Sequence, residues 1–166
     1  MYPVSLPRSG ILAFLDDEAR QLLAGYGTFL PSAPGQILIR EGESNTHLYV
    51  VISGSFSIFM NADGKEITLD TVGIGDCLGE VAIFHPDRAS ATVRSVETGQ
   101  LWSIEAEALQ QFLFDHPNHG CATMLGIDII LSRRLKRANA VIRLHEIVPG
   151  FLSVRSRRRA DTAKLR

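Results

Sequence analysis

The spacing of apolar residues along the chain changes period twice. Between Ile11 and Tyr26 they fall at positions 11, 12, 14, 15, 19, 22 and 23. That is a helical stripe, with Ser9 as a candidate N-cap and Gly25 and Gly27 as stops. From Gln36 the period drops to that of strands. Ile37 and Ile39 alternate with Leu38 and Arg40, Tyr49–Ile52 form a short apolar run, and Ile67 and Leu69 alternate with Thr68 and Asp70. Glu41-Gly42, Ser53-Gly54, Asp63-Gly64 and Gly73-Ile74-Gly75 punctuate these runs, and Val93 to Ile104 adds two more around Thr98-Gly99. Short strands at this spacing predict an antiparallel sandwich or barrel. After Ile104 the period is helical again, over Glu105–Phe114 and then from about Asn118 to Val148, ahead of Pro149-Gly150. Leu131, Leu135, Ala138 and Ile142 recur at spacings of 4, 3 and 4. This narrow seam suits a partner helix, hence a homodimer through the C-terminal helix, or packing on the chain's own barrel.

A chain of 166 residues, 45% hydrophobic and 21% charged, is expected to be one globular domain with a core. The formal charge of −1 is unevenly placed. Residues 155–166 carry six basic groups and one acid, leaving 11 basic and 17 acidic residues in the first 154. The basic tail reads as a solvated end or as a docking segment for an acidic partner, nucleic acid or anionic lipid. Cys77 and Cys121 make no disulfide framework. Ile11–Leu15 stops at Asp16-Asp17, too short for a signal core or a membrane span, so a cytoplasmic setting is expected. The five histidines are scattered without metal-ligand spacing, so no metal is expected. Gly73, Gly75 and Gly79 miss the dinucleotide-loop spacing by one residue, and no βαβ unit follows. No nucleophile–base or paired-carboxylate layout stands out, so the chain is not expected to be an enzyme.

The densest chemistry lies in Gly73–Val93, which combines a glycine-rich turn, the carboxylate of Glu80, Arg88, and the hydroxyls of Ser90 and Thr92. Glycine allows close backbone approach to a ligand, and amides opening a helical turn favour an anion. Arginine offers phosphate a planar fork, and a carboxylate accepts from a sugar hydroxyl. The segment resembles the phosphate-binding cassette of the cyclic nucleotide-binding domain family, which includes the catabolite activator protein and the regulatory subunits of the cAMP-dependent kinase. The likeness extends through Gly35–Arg40, Glu41-Gly42-Glu43, Leu48–Ser55, Asp63–Glu66 and Gly75-Asp76, from about Gly27 to about Leu109.

That resemblance implies a β jelly roll with an N-terminal helix and a long C-terminal helix. The divisions are a lead-in and helix over 1–26, the nucleotide-binding jelly roll over 27–109, helices over 110–148 and the basic tail over 149–166. It implies a cyclic nucleotide ligand, cAMP first and cGMP second. Glu80 would take the ribose 2′-hydroxyl, and Gly79, Val81 and Ala82 would offer amides to the cyclic phosphate. The family's arginine position falls on Ala89, leaving Arg88 one residue early. The shift can aim Arg88 away from the pocket unless a bulge re-aims it; away from it, Arg88 is a solvated loop residue. Ser90 and Thr92, two residues apart and so on one strand face, are candidates for the phosphate and for the phosphate or purine edge, or are ordinary strand hydroxyls. The reading is a stand-alone sensor that signals to an effector protein, with a ligand-free dimerisation module of the same fold as the alternative. Only 18 residues follow Val148, with no two-helix pattern, so sequence-specific DNA recognition is not expected.

Overall fold

The computed structural model describes residues 5–81 and 88–162, the stretch 140–162 by its backbone alone. The chain divides into two compact units, Met1–Ile130 and Leu131–Arg166.

The first unit opens with a 3-10 turn, Gly10–Leu12, and helix α1, Asp17–Ala24. The single stripe expected over Ile11–Tyr26 is therefore broken. Asp16 is extended, and its side chain accepts from the amide of Ala19 at 2.8 Å, so the helix starts afresh there. Ser9 makes no side-chain cap bond.

Among the described residues eight strands follow: β1 Thr28–Ser32, β2 Ile37–Ile39, β3 His47–Ser53, β4 Phe56–Ala62, β5 Lys65–Val72, β6 Cys77–Leu78, β7 Thr92–Ser95 and β8 Gly99–Glu105. They form two antiparallel four-stranded sheets, ordered β1-β8-β3-β6 and β2-β7-β4-β5. This is the jelly roll that the resemblance implied. The β4–β5 hairpin closes through Asp63 (φ 52°) and Gly64 (φ 75°), the two left-handed positions that a type I′ turn demands. Within that hairpin Ile58 pairs with Asp70 and Phe59 with Thr68, so Leu69 is the extra residue of a bulge.

The inner faces meet in a core of Ile39, Val51, Phe56, Val72, Leu78, Val93 and Leu101. Trp102, on the other face of β8, is fully buried and donates its indole N–H to the Ala24 carbonyl at 3.3 Å, tying α1 to the barrel.

Helix α2, Ala106–Asp115, leads to α3, Pro117–Thr162. α3 does not stop at Val148 as expected; it runs through Pro149-Gly150, the proline forgoing one backbone bond. Residues 131–162 of the second unit are helical. Among the described residues, no helix is long and apolar enough to cross a membrane.

Candidate functional site

A tight loop positions the cassette. Gly75 donates to the Val51 carbonyl at 2.9 Å, Val51 donates to the Asp76 carbonyl at 3.0 Å, and Asp76 Oδ2 accepts from Gly73 at 3.0 Å. The 3-10 turn braces this loop from outside, with Ile11 donating to the Gly75 carbonyl at 3.2 Å. The backbones touch so closely that a Cβ on Gly10 would lie 1.7 Å from the Gly75 oxygen. The same turn leans on α3, where a Cβ on Gly126 would lie 2.0 Å from the Ile11 oxygen.

From this loop β6 pairs Cys77 with Val50 and Leu78 with Tyr49, and the chain turns sharply at Gly79, φ 76°. A Cβ there would meet the His47 carbonyl oxygen at 2.4 Å and Asn45 Nδ2 at 2.5 Å. Asn45 is itself held, donating to the His47 carbonyl at 2.7 Å and accepting from the His47 amide at 3.3 Å. Glu80 and Val81 then begin a helical turn. Glu80 is 7% exposed, whereas Val81 is 55% exposed.

These residues line a cleft of about 100 Å³ between the sheets. At roughly 10–15 Å³ per water site, its inner part takes a group of several heavy atoms. Ile39, Ile58, Leu78 and Val93 give it apolar walls. Gly79, Glu80, Val81, Arg88, Ala89 and Ser90 all border it. Six of the eight expected site residues thus come together. Ala82 lies outside the described residues.

Thr92 does not border the cleft. It pairs with Phe59 while Val93 pairs with Ile58, so Val93 takes the cleft face. Thr92 is turned to the outer face, where its hydroxyl accepts from the Glu41 amide at 3.1 Å. On that outer face Arg94 grips Glu66 with both nitrogens, at 3.1 and 2.6 Å, and covers the Phe59 ring at 4.4 Å. The hydrogen bond from Arg94 holds the Glu66 carboxyl below its usual range, and the pairing raises the Arg94 guanidinium above its own.

Arg88 and Ala89 are held by a short antiparallel ladder to the β2–β3 loop. Arg88 bridges Ser44, Ala89 donates to the Glu43 carbonyl and Gly42 donates to the Ala89 carbonyl, both at 2.8 Å. Ala89 faces inward, packed against the core. The exposed Arg88 borders the cleft from the rim and gives a guanidinium N–H to the Gly42 carbonyl at 3.1 Å. Sequence reasoning missed Asn45, which borders the cleft and presses on Gly79. Its signal was an asparagine just before a strand, the residue type that bonds backbone groups two residues on.

Two antiparallel four-stranded sheets with a buried Gly-Glu turn beside a cleft define a jelly-roll domain. A model of the family described as "Cyclic nucleotide-binding domain" matches residues 30–116, and the chain belongs to that family. It is 29% identical over 135 residues to the CRP-like cAMP-activated global transcriptional regulator of Mycobacterium tuberculosis, covering 81% of this chain and 58% of that one. It therefore spans a little over half of that relative's length. The N-terminal domain of a transcriptional regulator from Streptomyces coelicolor is 29% identical, with a TM-score of 0.65, over 81% of this chain and 92% of that one. A cyclic nucleotide-binding domain from Methylobacillus flagellatus has the same fold, with a TM-score of 0.74 at 18% identity, over 87% and 91% of the two chains.

Proposed function

We propose that this chain is a cyclic nucleotide sensor of the cytoplasm, a regulatory module that passes occupancy of its cleft to an effector protein and does no catalysis itself. The observation that carries this reading is the Gly79-Glu80 turn. It buries one carboxylate beside amides that open a helical turn, in a cleft between apolar walls. A carboxylate there accepts from a sugar hydroxyl while the amides face an anion. cAMP is the first candidate, in keeping with the printed name of the M. tuberculosis relative. cGMP is the second, since a cGMP-dependent protein kinase of Plasmodium berghei is 28% identical over 109 residues. Ser90 at the rim and Arg88 beside it would meet the phosphate.

Titration calorimetry with each nucleotide tests the reading. Heat that saturates with cAMP or cGMP and is lost in Glu80→Ala supports it; silence from both in the wild type refutes it. One observation favours a ligand-free scaffold instead. The inward position of the 88–89 pair is an alanine packed on the core, and the arginine beside it bonds Gly42. The scaffold reading predicts no heat and an oligomeric state indifferent to nucleotide. On either reading the seam containing Leu131 and the 63% exposed Leu135 joins two copies. Leu135→Lys should turn a dimer into a monomer by light scattering, and an unchanged mass would remove the seam from the interface.

A further inference from the structure

The two units carry opposite charge. Residues 1–130 hold 6 basic and 16 acidic residues, and residues 131–166 hold 11 basic residues against only Glu146 and Asp161. The formal balance is thus −10 for one and +9 for the other, hidden in a total of −1. Nine of the 11 basic residues are arginines, the side chain whose fork matches phosphate oxygens. The backbone is helical through Thr162, so Leu131–Thr162 makes a rod of about 48 Å. Arg133, Lys136 and Arg137 on its first turns are exposed.

The pattern separates the candidate polyanions. A helix that lies on a bilayer needs a bulky apolar face opposite its basic one. Over 153–166 the apolar residues are only Val154, Ala160, Ala163 and Leu165. Positions 155, 157, 158 and 159 are all arginine, and at 3.6 residues per turn they spread over more than half the helix circumference. Over this last stretch charge spreads round the helix without a bulky apolar face, which suits a partner met through phosphates alone. Duplex nucleic acid presents one such charge per roughly 1.7 Å of axis.

We propose that the basic stretch of α3 beyond Ile130 is a docking arm for duplex nucleic acid, gripping phosphates without reading sequence. The test is fluorescence anisotropy of the full chain with labelled duplexes of about 24 base pairs, two of unrelated DNA sequence and one of RNA, across a salt series. Expected are micromolar binding to all three at low salt and a steep fall of affinity with salt. In the Arg155→Gln, Arg157→Gln, Arg158→Gln, Arg159→Gln variant the salt slope should shrink by about 3.6, at roughly 0.9 per phosphate contact. Lys136→Gln with Arg137→Gln, earlier in the arm, should shrink it by about 1.8 on the same count. Lys65→Gln, on the β4–β5 hairpin, should change nothing. No anisotropy change at about 100 µM protein would overturn the proposal, since non-specific binding is normally tighter than that. So would duplex binding that keeps its salt slope in both arginine variants, or binding to phosphatidylserine vesicles without binding to duplex.

Discussion

Alanine at position 79 separates backbone strain from crowding, because the hairpin supplies its own control. Gly64 and Gly79 have nearly the same torsion, φ 75° and 76°. A Cβ on Gly64 meets nothing within 4 Å, whereas one on Gly79 meets the His47 oxygen at 2.4 Å and Asn45 Nδ2 at 2.5 Å. The left-handed torsion costs a side-chain-bearing residue about 1–2 kcal/mol at either site. Overpacking adds about 1–3 kcal/mol at Gly79 alone, and the upper part of that range applies because the His47 carbonyl belongs to the β3 ladder. Gly64→Ala should therefore lose about 1–2 kcal/mol and Gly79→Ala about 3–5 kcal/mol. At roughly 2–4 °C per kcal/mol for a chain of this size, the two melting temperatures should differ by about 5–10 °C. Thermal melts followed by circular dichroism read the difference directly. Equal melting temperatures would show that the wall formed by Asn45 and His47 gives way freely and does not fix the turn that precedes Glu80.

Three further outcomes follow from the same contacts. Gly126→Ala should lower stability by about 1–3 kcal/mol in urea melts, against the gain of roughly 1 kcal/mol that helix propensity alone gives, because the new methyl strikes the Ile11 carbonyl; a stabilised variant would show that the 3-10 turn is loosely seated. Arg88→Ala should weaken cyclic nucleotide binding about tenfold or more by calorimetry, since a charge-assisted bond contributes about 1.5–3 kcal/mol; unchanged binding would mean that Arg88 does not reach the phosphate from the rim. The Glu66 carboxyl is held below its usual range by Arg94, so the unfolded chain takes up this proton first and the pair's stabilisation is lost as pH falls below 4.5. Because the pair is solvent-exposed the effect should be small, and Glu66→Gln should flatten that part of a stability–pH curve, whereas an unaltered curve would deny the pair any role.

Much of the fold was legible because its signals are local. Asp63-Gly64 marked its turn, the alternation of apolar residues marked β2 and β5, and an unbroken apolar run marked β3. The glycines before Glu80 marked the candidate site for the same reason, since a sharp backbone bend leaves a trace in residue type. The helix over Ile11–Tyr26 was misjudged where two apolar stripes ran together across Asp16, a residue that could be read as helical surface but acts as a cap. Thr92 was misjudged because counting by twos from Ser90 presumes one continuous strand. β7 begins at Thr92, and Ser90 lies in a bend before it, so the alternation does not carry across. The aim of Arg88 was not legible in detail, because it depends on pairing with Ser44, far away along the chain. Asn45 was hidden for a similar reason: its importance comes from a neighbour in space, Gly79, that nothing in its own surroundings announces.

The 3-10 turn wedged between Gly75 and Gly126 has a bearing on how the molecule is made. Its residues leave the ribosome before either of the surfaces that hold them, one absent until Gly75 has been added and the other until Gly126 has. The turn is thus made ahead of both its seats and settles only once the chain has grown past Gly126.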